Sequence, residues 1–385
     1  MNANGTKPLY AGEIAELLRP VMICCWHRML LTSCQLWALS KLQSDDQIEQ
    51  FCAKHLDEGF RLSHAIANGC RLEQNYRHAG MTLITACDAL YPPMLKKSAQ
   101  VSPVLAVKGD CSILSKPQVA VVGSRETHAL TPQTVSYIAN ALHARDQIIT
   151  SGGARGTDAL AHREAMKANR ATVVVAGTGA DVVFPAENRD IFEYAAGNGA
   201  IVSPFPSGVQ GLTFNFPTRN AIIAGLSQAV VVVQCRVRSG ALYTAKYAIR
   251  MGRPVLVPCM PGFSALTEGS LELARSGKAQ WFTSVEDLHR ILGDAPSHPQ
   301  LDLPLADSAC ASQPNRKSAE IAEDLTMLGA AIVKVLRGSP QTRECLRQKV
   351  VESGVDSVDF DETLLDLELA GTIAQCAGQY AIAAG

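Results

Sequence analysis

Over residues 10–80 the apolar positions recur at roughly helical spacing. Segments 13–18, 23–42, 47–57 and 60–67 read as helices, with turn material at Ser44-Asp45-Asp46 and Gly69. No pattern there carries chemistry, so residues 1–80 are assigned to a helical accessory domain. From Met81 the pattern changes. Short runs rich in Val, Ile and Ala occur at 81–85, 104–108, 119–122, 148–150, 172–176, 200–203, 229–234 and 255–258. From 119 onward they lack polar alternation, as expected of parallel strands buried on both faces. Between these runs, 132–144, 157–168, 187–196, 219–226, 241–251 and 269–276 read as helices. This alternation predicts an α/β fold over residues 81–292, an open, doubly wound, mainly parallel sheet.

Residues 293–318 hold four prolines, several serines and no period, and read as a linker. Beyond it, 319–336, 339–349 and 360–370 read as helices. Thr372-Ile373-Ala374 and Gln379-Tyr380-Ala381 alternate around Gly378 like a small hairpin. Three helices and a two-stranded wing predict a winged helix over 319–385.

Composition narrows the function classes. The 385 residues are 47% hydrophobic and 18% charged, enough for a sizeable core and too apolar for a disordered chain. Aromatics make up 5%, little material for an extended base-stacking platform. The net charge of −1 conceals an asymmetry. Residues 117–292 hold 16 Lys and Arg against 12 Asp and Glu, whereas 317–385 hold 6 against 11. A polycationic coat for nucleic acid is excluded, but a local basic pocket is not. The acidic tail suits protein contact better than DNA reading. None of the 12 cysteines forms C-x-x-C, which excludes a zinc ribbon and a thioredoxin-type motif and fits a reducing cytosol. Residues 1–10 have no signal-peptide core, and 21–39 are interrupted by His27, Arg28 and Gln35. The expectation is a soluble cytoplasmic protein without membrane contact.

Candidate chemistry gathers at strand ends. Val121-Val122-Gly123-Ser124-Arg125 ends a strand in a turn that offers main-chain N–H groups, a hydroxyl and a bidentate cation to a phosphate. No acidic residue about 20 positions on completes a dinucleotide fingerprint. Taken alone, an ordinary βα turn explains this loop equally well. Thr150-Ser151-Gly152-Gly153-Ala154-Arg155-Gly156-Thr157-Asp158 is a second such loop, leading into a helix N-terminus that favours an anion. Asp158 reads as a helix-terminus residue rather than a catalytic acid, and His162 as structural. In a third turn, Gly177-Thr178-Gly179-Ala180-Asp181, the aspartate would oppose a phosphate and reads as turn-stabilising. In Thr213-Phe214-Asn215-Phe216-Pro217-Thr218-Arg219-Asn220, rings beside amides and a guanidinium suit an unstacked base and its phosphate. A hydrophobic loop plug with Asn220 capping a helix is the competing reading. Arg236-Val237-Arg238-Ser239-Gly240 follows a further strand, and the helix beyond it carries Lys246 and Arg250. No nucleophile–base pair, metal-ligand cluster or Walker loop stands out, so neither an enzymatic activity nor a cofactor or metal is expected.

Several of these runs, in this order, resemble the bacterial DNA-processing protein A (DprA/Smf) family. They are Val121-Val122-Gly123-Ser124-Arg125, Ser151 through Asp158, Asn215-Phe216-Pro217-Thr218-Arg219-Asn220, and Arg238-Ser239-Gly240-Ala241-Leu242-Tyr243-Thr244-Ala245. Tyr91-Pro92-Pro93-Met94-Leu95 and Leu364 through Gly371 add to the likeness. The resemblance implies a Rossmann-like core at 81–292, an N-terminal SAM-like helical domain and a C-terminal winged helix. It implies a homodimer that binds single-stranded DNA during natural transformation, protects it, and loads the RecA recombinase for homologous recombination. Carried over by motif, the DNA site is Gly123, Ser124, Arg125, Gly152, Arg155, Asn215, Phe216, Arg219 and Asn220. Arg238 and Lys246 join it from the following strand end. Ala221 stands where the family often has a further arginine, and Thr218 where a basic residue is frequent. The alternative is a nucleotide-binding or nucleotide-hydrolysing enzyme of the lonely-guy type. Gly152-Gly153-Ala154-Arg155-Gly156-Thr157 echoes that loop, but Leu160 and Ala161 occupy the place of its glutamate.

Overall fold

Four helices open the chain in a computed structural model that describes residues 11–57, 59–96, 98, 101–213, 215–259, 264–293, 327–355, 360–369, 372–376 and 379–382. They are α1 (Ala11–His27), α2 (Ser33–Leu39), α3 (Asp45–His55) and α4 (Leu62–His78). The sequence pattern breaks the first helix near Pro20, yet α1 runs through it. Gly69, read as turn material, lies inside α4. There α1 crosses so closely that a Cβ on Gly69 would overlap the Pro20 main chain. That crossing is buried on both sides and outweighs the loss of the one hydrogen bond a proline cannot donate. Ser44 caps α3 by accepting the Gln47 N–H.

The chain then enters a sheet. Its elements are β1 (Met81–Thr85), α5 (Pro93–Lys96), β2 (Val104–Gly109), β3 (Gln118–Val122), α6 (Thr131–His143), β4 (Ile148–Ser151) and α7 (Thr157–Lys167). They continue with β5 (Thr172–Val175), α8 (Arg189–Asn198), β6 (Ala200–Ser203), α9 (Asn215–Leu226), β7 (Ala229–Val232) and α10 (Gly240–Arg250). The last are β8 (Val255–Pro258), α11 (Glu268–Arg275), β9 (Gln280–Phe282) and α12 (Val285–Leu292). The strand order is β1-β2-β6-β5-β4-β3-β7-β8-β9. β1 and β2 are antiparallel additions at one edge, and from β6 to β9 every pairing is parallel. Strands β3 to β8 are buried throughout, which is why their apolar runs do not alternate. Val119, Val121, Val231, Val233 and Leu256 face a core closed by α6, α7 and α12. The opposite step direction carries α9 and α10, packed on each other, to the other face.

From β3 the chain steps outward through β4, β5 and β6, then returns to lay β7 on the other flank of β3. The order reverses there, and the carboxyl ends of β3 and β7 diverge into a crevice.

The chain divides into two compact units, residues 1–28 with 33–295, and residues 29–32 with 296–385. The second contains α13 (Met327–Leu336), β10 (Gln341–Thr342), α14 (Arg343–Glu352), α15 (Phe360–Leu369), β11 (Ile373–Cys376) and β12 (Gln379–Ile382). Its helices enclose Ile332, Leu346, Val350 and Phe360, and its sheet runs β10-β12-β11, all antiparallel. This is a winged-helix arrangement whose wing gains a third strand that the sequence pattern does not show. Residues 294–326, holding nearly all of the expected linker, lie outside the described residues. Among the described residues no helix is long and apolar enough to cross a membrane.

Candidate nucleic-acid interface

Where the strand order reverses, the sheet opens into a cleft of about 340 Å³. One wall is the turn after β3. Its N–H groups do not all face outward: the Ser124 N–H donates to the Gln234 carbonyl at 2.9 Å. The buried Gln234 side chain organises the rest of the turn. Its Nε2 donates to the Glu126 carbonyl at 2.9 Å, and its Oε1 accepts from the His128 N–H at 3.1 Å and from the Thr131 hydroxyl. Gly123 is required for closeness, because a Cβ there would stand 2.5 Å from Thr157 Oγ1.

The second glycine-rich loop differs from its sequence reading. The N–H groups of Gly152 and Ala154 donate to Asp158 Oδ2 at 3.1 and 3.4 Å, and the Thr157 N–H donates to the Ser124 carbonyl at 3.1 Å. These donors are used inside the protein and do not form an anion cradle. Gly156 has a left-handed φ of 72°, and a Cβ on it would overlap the Ser124 and Arg125 carbonyls. The two loops therefore pack main chain on main chain. Asp158 is a helix-terminus residue, as its position suggests. Burial raises its pKa, against the pull of Arg219 and of the N–H donors. His162 is buried and structural: the Thr172 hydroxyl donates to the Ile149 carbonyl, so it accepts from His162 Nδ1 at 2.8 Å. Burial, with Arg219 and Arg163 nearby, lowers its pKa to about 3.

The floor is Phe216 and Arg219 from the first turns of α9. Arg219 is 5% exposed, and its Nη1 donates to the carbonyls of Gly152 and of Val175, the latter at 2.6 Å. Burial lowers its pKa to about 10, with Asp158 opposing. Gly152 makes room for this side chain, since a Cβ there would overlap the guanidinium. The guanidinium carbons of Arg125 and Arg219 each lie 5.7 Å from the Phe216 ring centroid. Arg125 is exposed and forms no ion pair among the described residues. Across the mouth, Arg236 pairs with Glu126 at 2.7 Å.

The family model of DNA recombination-mediator protein A matches residues 82–293, the stretch that builds this cleft. The chain belongs to that family. Its member from Bacillus subtilis (strain 168), DNA processing protein DprA, is 32% identical over 286 residues, covering 72% of this chain and 91% of the relative. Protein Smf of Escherichia coli (strain K12) is 37% identical over 209 residues, 54% of this chain and 55% of its own length. The X-ray structure of DNA processing protein A from Streptococcus pneumoniae superposes with a TM-score of 0.55 at 26% identity, covering 73% of this chain and 98% of that one.

Within this DprA/Smf core the structure sorts the motif residues. Gly123, Ser124, Arg125, Phe216, Arg219, Asn220 and Arg238 line this cleft. Asn220 spans two of its walls by donating to the Gly240 carbonyl at 3.2 Å. Gly152 and Asn215 are buried beneath it, where Asn215 donates to the Gly177 carbonyl at 3.0 Å. Arg155 is exposed outside it and held by Glu187, with Nη2 2.6 Å from Oε2. Lys246 is half-buried on α10, away from the lining. Phe214 lies outside the described residues. Asp181 stabilises a turn, as its place suggests, accepting from the Ser207 hydroxyl and the Gly208 N–H. The sequence reading missed Gln234, which looks like one more strand residue. It also left Arg236 and Glu126 out of the site, because pairing across the mouth depends on a strand order that is not local.

Proposed function

We propose that this cleft binds single-stranded DNA, with Arg125 and Arg238 on phosphates and the Phe216 ring beside a base. The observation that carries the proposal is Arg125: an exposed guanidinium at the switch point, beside an aromatic ring and, among the described residues, unclaimed by a carboxylate. Its lining holds four arginines against Glu126 and Asp158, so the cleft favours an anion. Few side chains in it could read base edges, so recognition is independent of sequence. The family's role extends this to the chain: protecting incoming strands and loading the RecA recombinase in natural transformation, as a cytoplasmic homodimer. Its relatives are named for DNA processing, which supports the reading. The test titrates fluorescent single-stranded and duplex oligonucleotides at two salt concentrations. Single strands should bind more tightly, and more weakly as salt rises. Equal affinity for both forms, or none, overturns the proposal, and nucleotide hydrolysis by the purified protein would replace it.

A further inference from the structure

We infer that Phe184 is a second platform for a nucleobase, outside the cleft but continuous with it, so that two neighbouring bases of one strand are taken up. The inference rests on the DNA-binding reading above. Phe184 is 44% exposed, a large apolar ring facing water. It lies against the cleft floor: its centroid is 5.7 Å from that of Phe216, with 37° between the planes. One face is backed by main chain, since a Cβ on Gly211 would stand 3.0 to 3.2 Å from Cγ, Cδ1 and Cδ2 of Phe184. Beyond these two contacts the ring keeps part of its area open to solvent. Phe216 differs, because Gly177, Arg219 and Arg125 already surround its ring. Phe216 is thereby half-buried, whereas the exposed Phe184 leaves more of its ring to an incoming base.

The ring is also held in place. Asn188 Nδ2 ties its loop to the carbonyls of Gly153 and Ala154 at 2.9 and 3.1 Å, and the Thr178 hydroxyl donates to the Val182 carbonyl at 2.7 Å. The Asp181 carboxylate joins this loop to Ser207 and Gly208, on the segment that leads to Gly211. A pre-positioned ring loses little entropy when a base stacks on it. The occupant is a base because the adjoining cleft is cationic and its phosphate partners lie within one ring of Phe184. Every base has a π-face, so the platform does not select sequence.

The test compares the full-length protein with Phe184→Ala, Phe184→Leu and Phe184→Trp on a base-bearing oligonucleotide and on an abasic one of equal length. Phe184→Ala should weaken binding of the base-bearing strand roughly five- to a hundredfold. It should leave abasic binding and the salt slope unchanged, because no phosphate contact is lost. Phe184→Leu keeps apolar bulk over Gly211 without a π-face, and should show the same selective loss even where the alanine variant fails to fold. Phe184→Trp should retain affinity, and its added fluorescence should be quenched by the base-bearing strand. Wild-type affinity in Phe184→Leu, or an equal loss on the abasic strand, overturns this inference while leaving the DNA reading intact. Absence of single-strand binding by the unsubstituted protein overturns the DNA reading itself.

Discussion

Arg125 and Arg219 look alike along the chain, each an arginine within a run expected to bind DNA, but the structure exposes the first and buries the second. Arg125 stands on a short exposed turn and can clamp a phosphate with two N–H groups, which lysine cannot copy. Arg125→Ala should leave melting unchanged and lower single-strand affinity ten- to a hundredfold, about 1.5–3 kcal/mol, similarly for every sequence. The salt slope should fall by about one. A folded variant with wild-type affinity would place the DNA elsewhere. Arg219 instead lies over buried carbonyls beside Asp158. Arg219→Ala leaves a buried carboxylate without its cation, and should cost about 3–5 kcal/mol of stability in denaturant melts. Loss of binding without loss of stability would contradict that assignment. No spacing rule separates the two arginines. The distinction lies in Gly152, whose missing side chain is the space Arg219 fills, and a glycine's neighbours are not written in its sequence.

At the scale of elements, the loop after β3 and the loop before α7 behave as one unit joined at Gly156. Gly156→Ala places a side chain at φ 72° against the Ser124 and Arg125 carbonyls. It should destabilise the protein by about 1–3 kcal/mol or more and weaken DNA binding with it, since the first loop must shift. Unchanged melting would show that the loops are not coupled. The strands that carry these loops were legible because burial on both faces leaves an unbroken apolar run. Edge elements were not. β9 has two exposed residues in three, so no apolar run marks it. Asn215–Leu226 begins four residues before its expected start at 219, and Pro217 sits in its first turn, where a missing N–H costs nothing. Long-range packing likewise decided α1, where the close fit of Gly69 overrides the proline signal.

For the whole molecule, acidity and chain length are the informative variables. Burial lowers the His162 pKa to about 3, while the unfolded chain titrates near 6.5. The unfolded state therefore takes up a proton that the fold refuses. This contribution is intact above pH 6.5 and falls as pH drops toward 3, by roughly 2 kcal/mol at pH 5. His143 and His27, both lowered by burial, act with the same sign, whereas Asp158, raised by burial, opposes them. The His162 share is thus read as a difference: His162→Asn should melt with a shallower decline between pH 7 and pH 5 than the wild type. Parallel declines would show that the imidazole contributes nothing. Removing residues from Lys317 onward should leave most single-strand affinity, because the cleft lies wholly in the first unit. A tenfold loss in a folded truncation would refute that. The strand order also sets a timetable. Gln234 follows His128 by 106 positions, yet it is the clasp that shapes the turn carrying Arg125. A ribosome delivers the first wall of the cleft long before the clasp and the second wall. The nascent chain therefore passes through a long interval with Arg125 made but not yet positioned, and capture of a strand must wait until nearly the whole core has been synthesised.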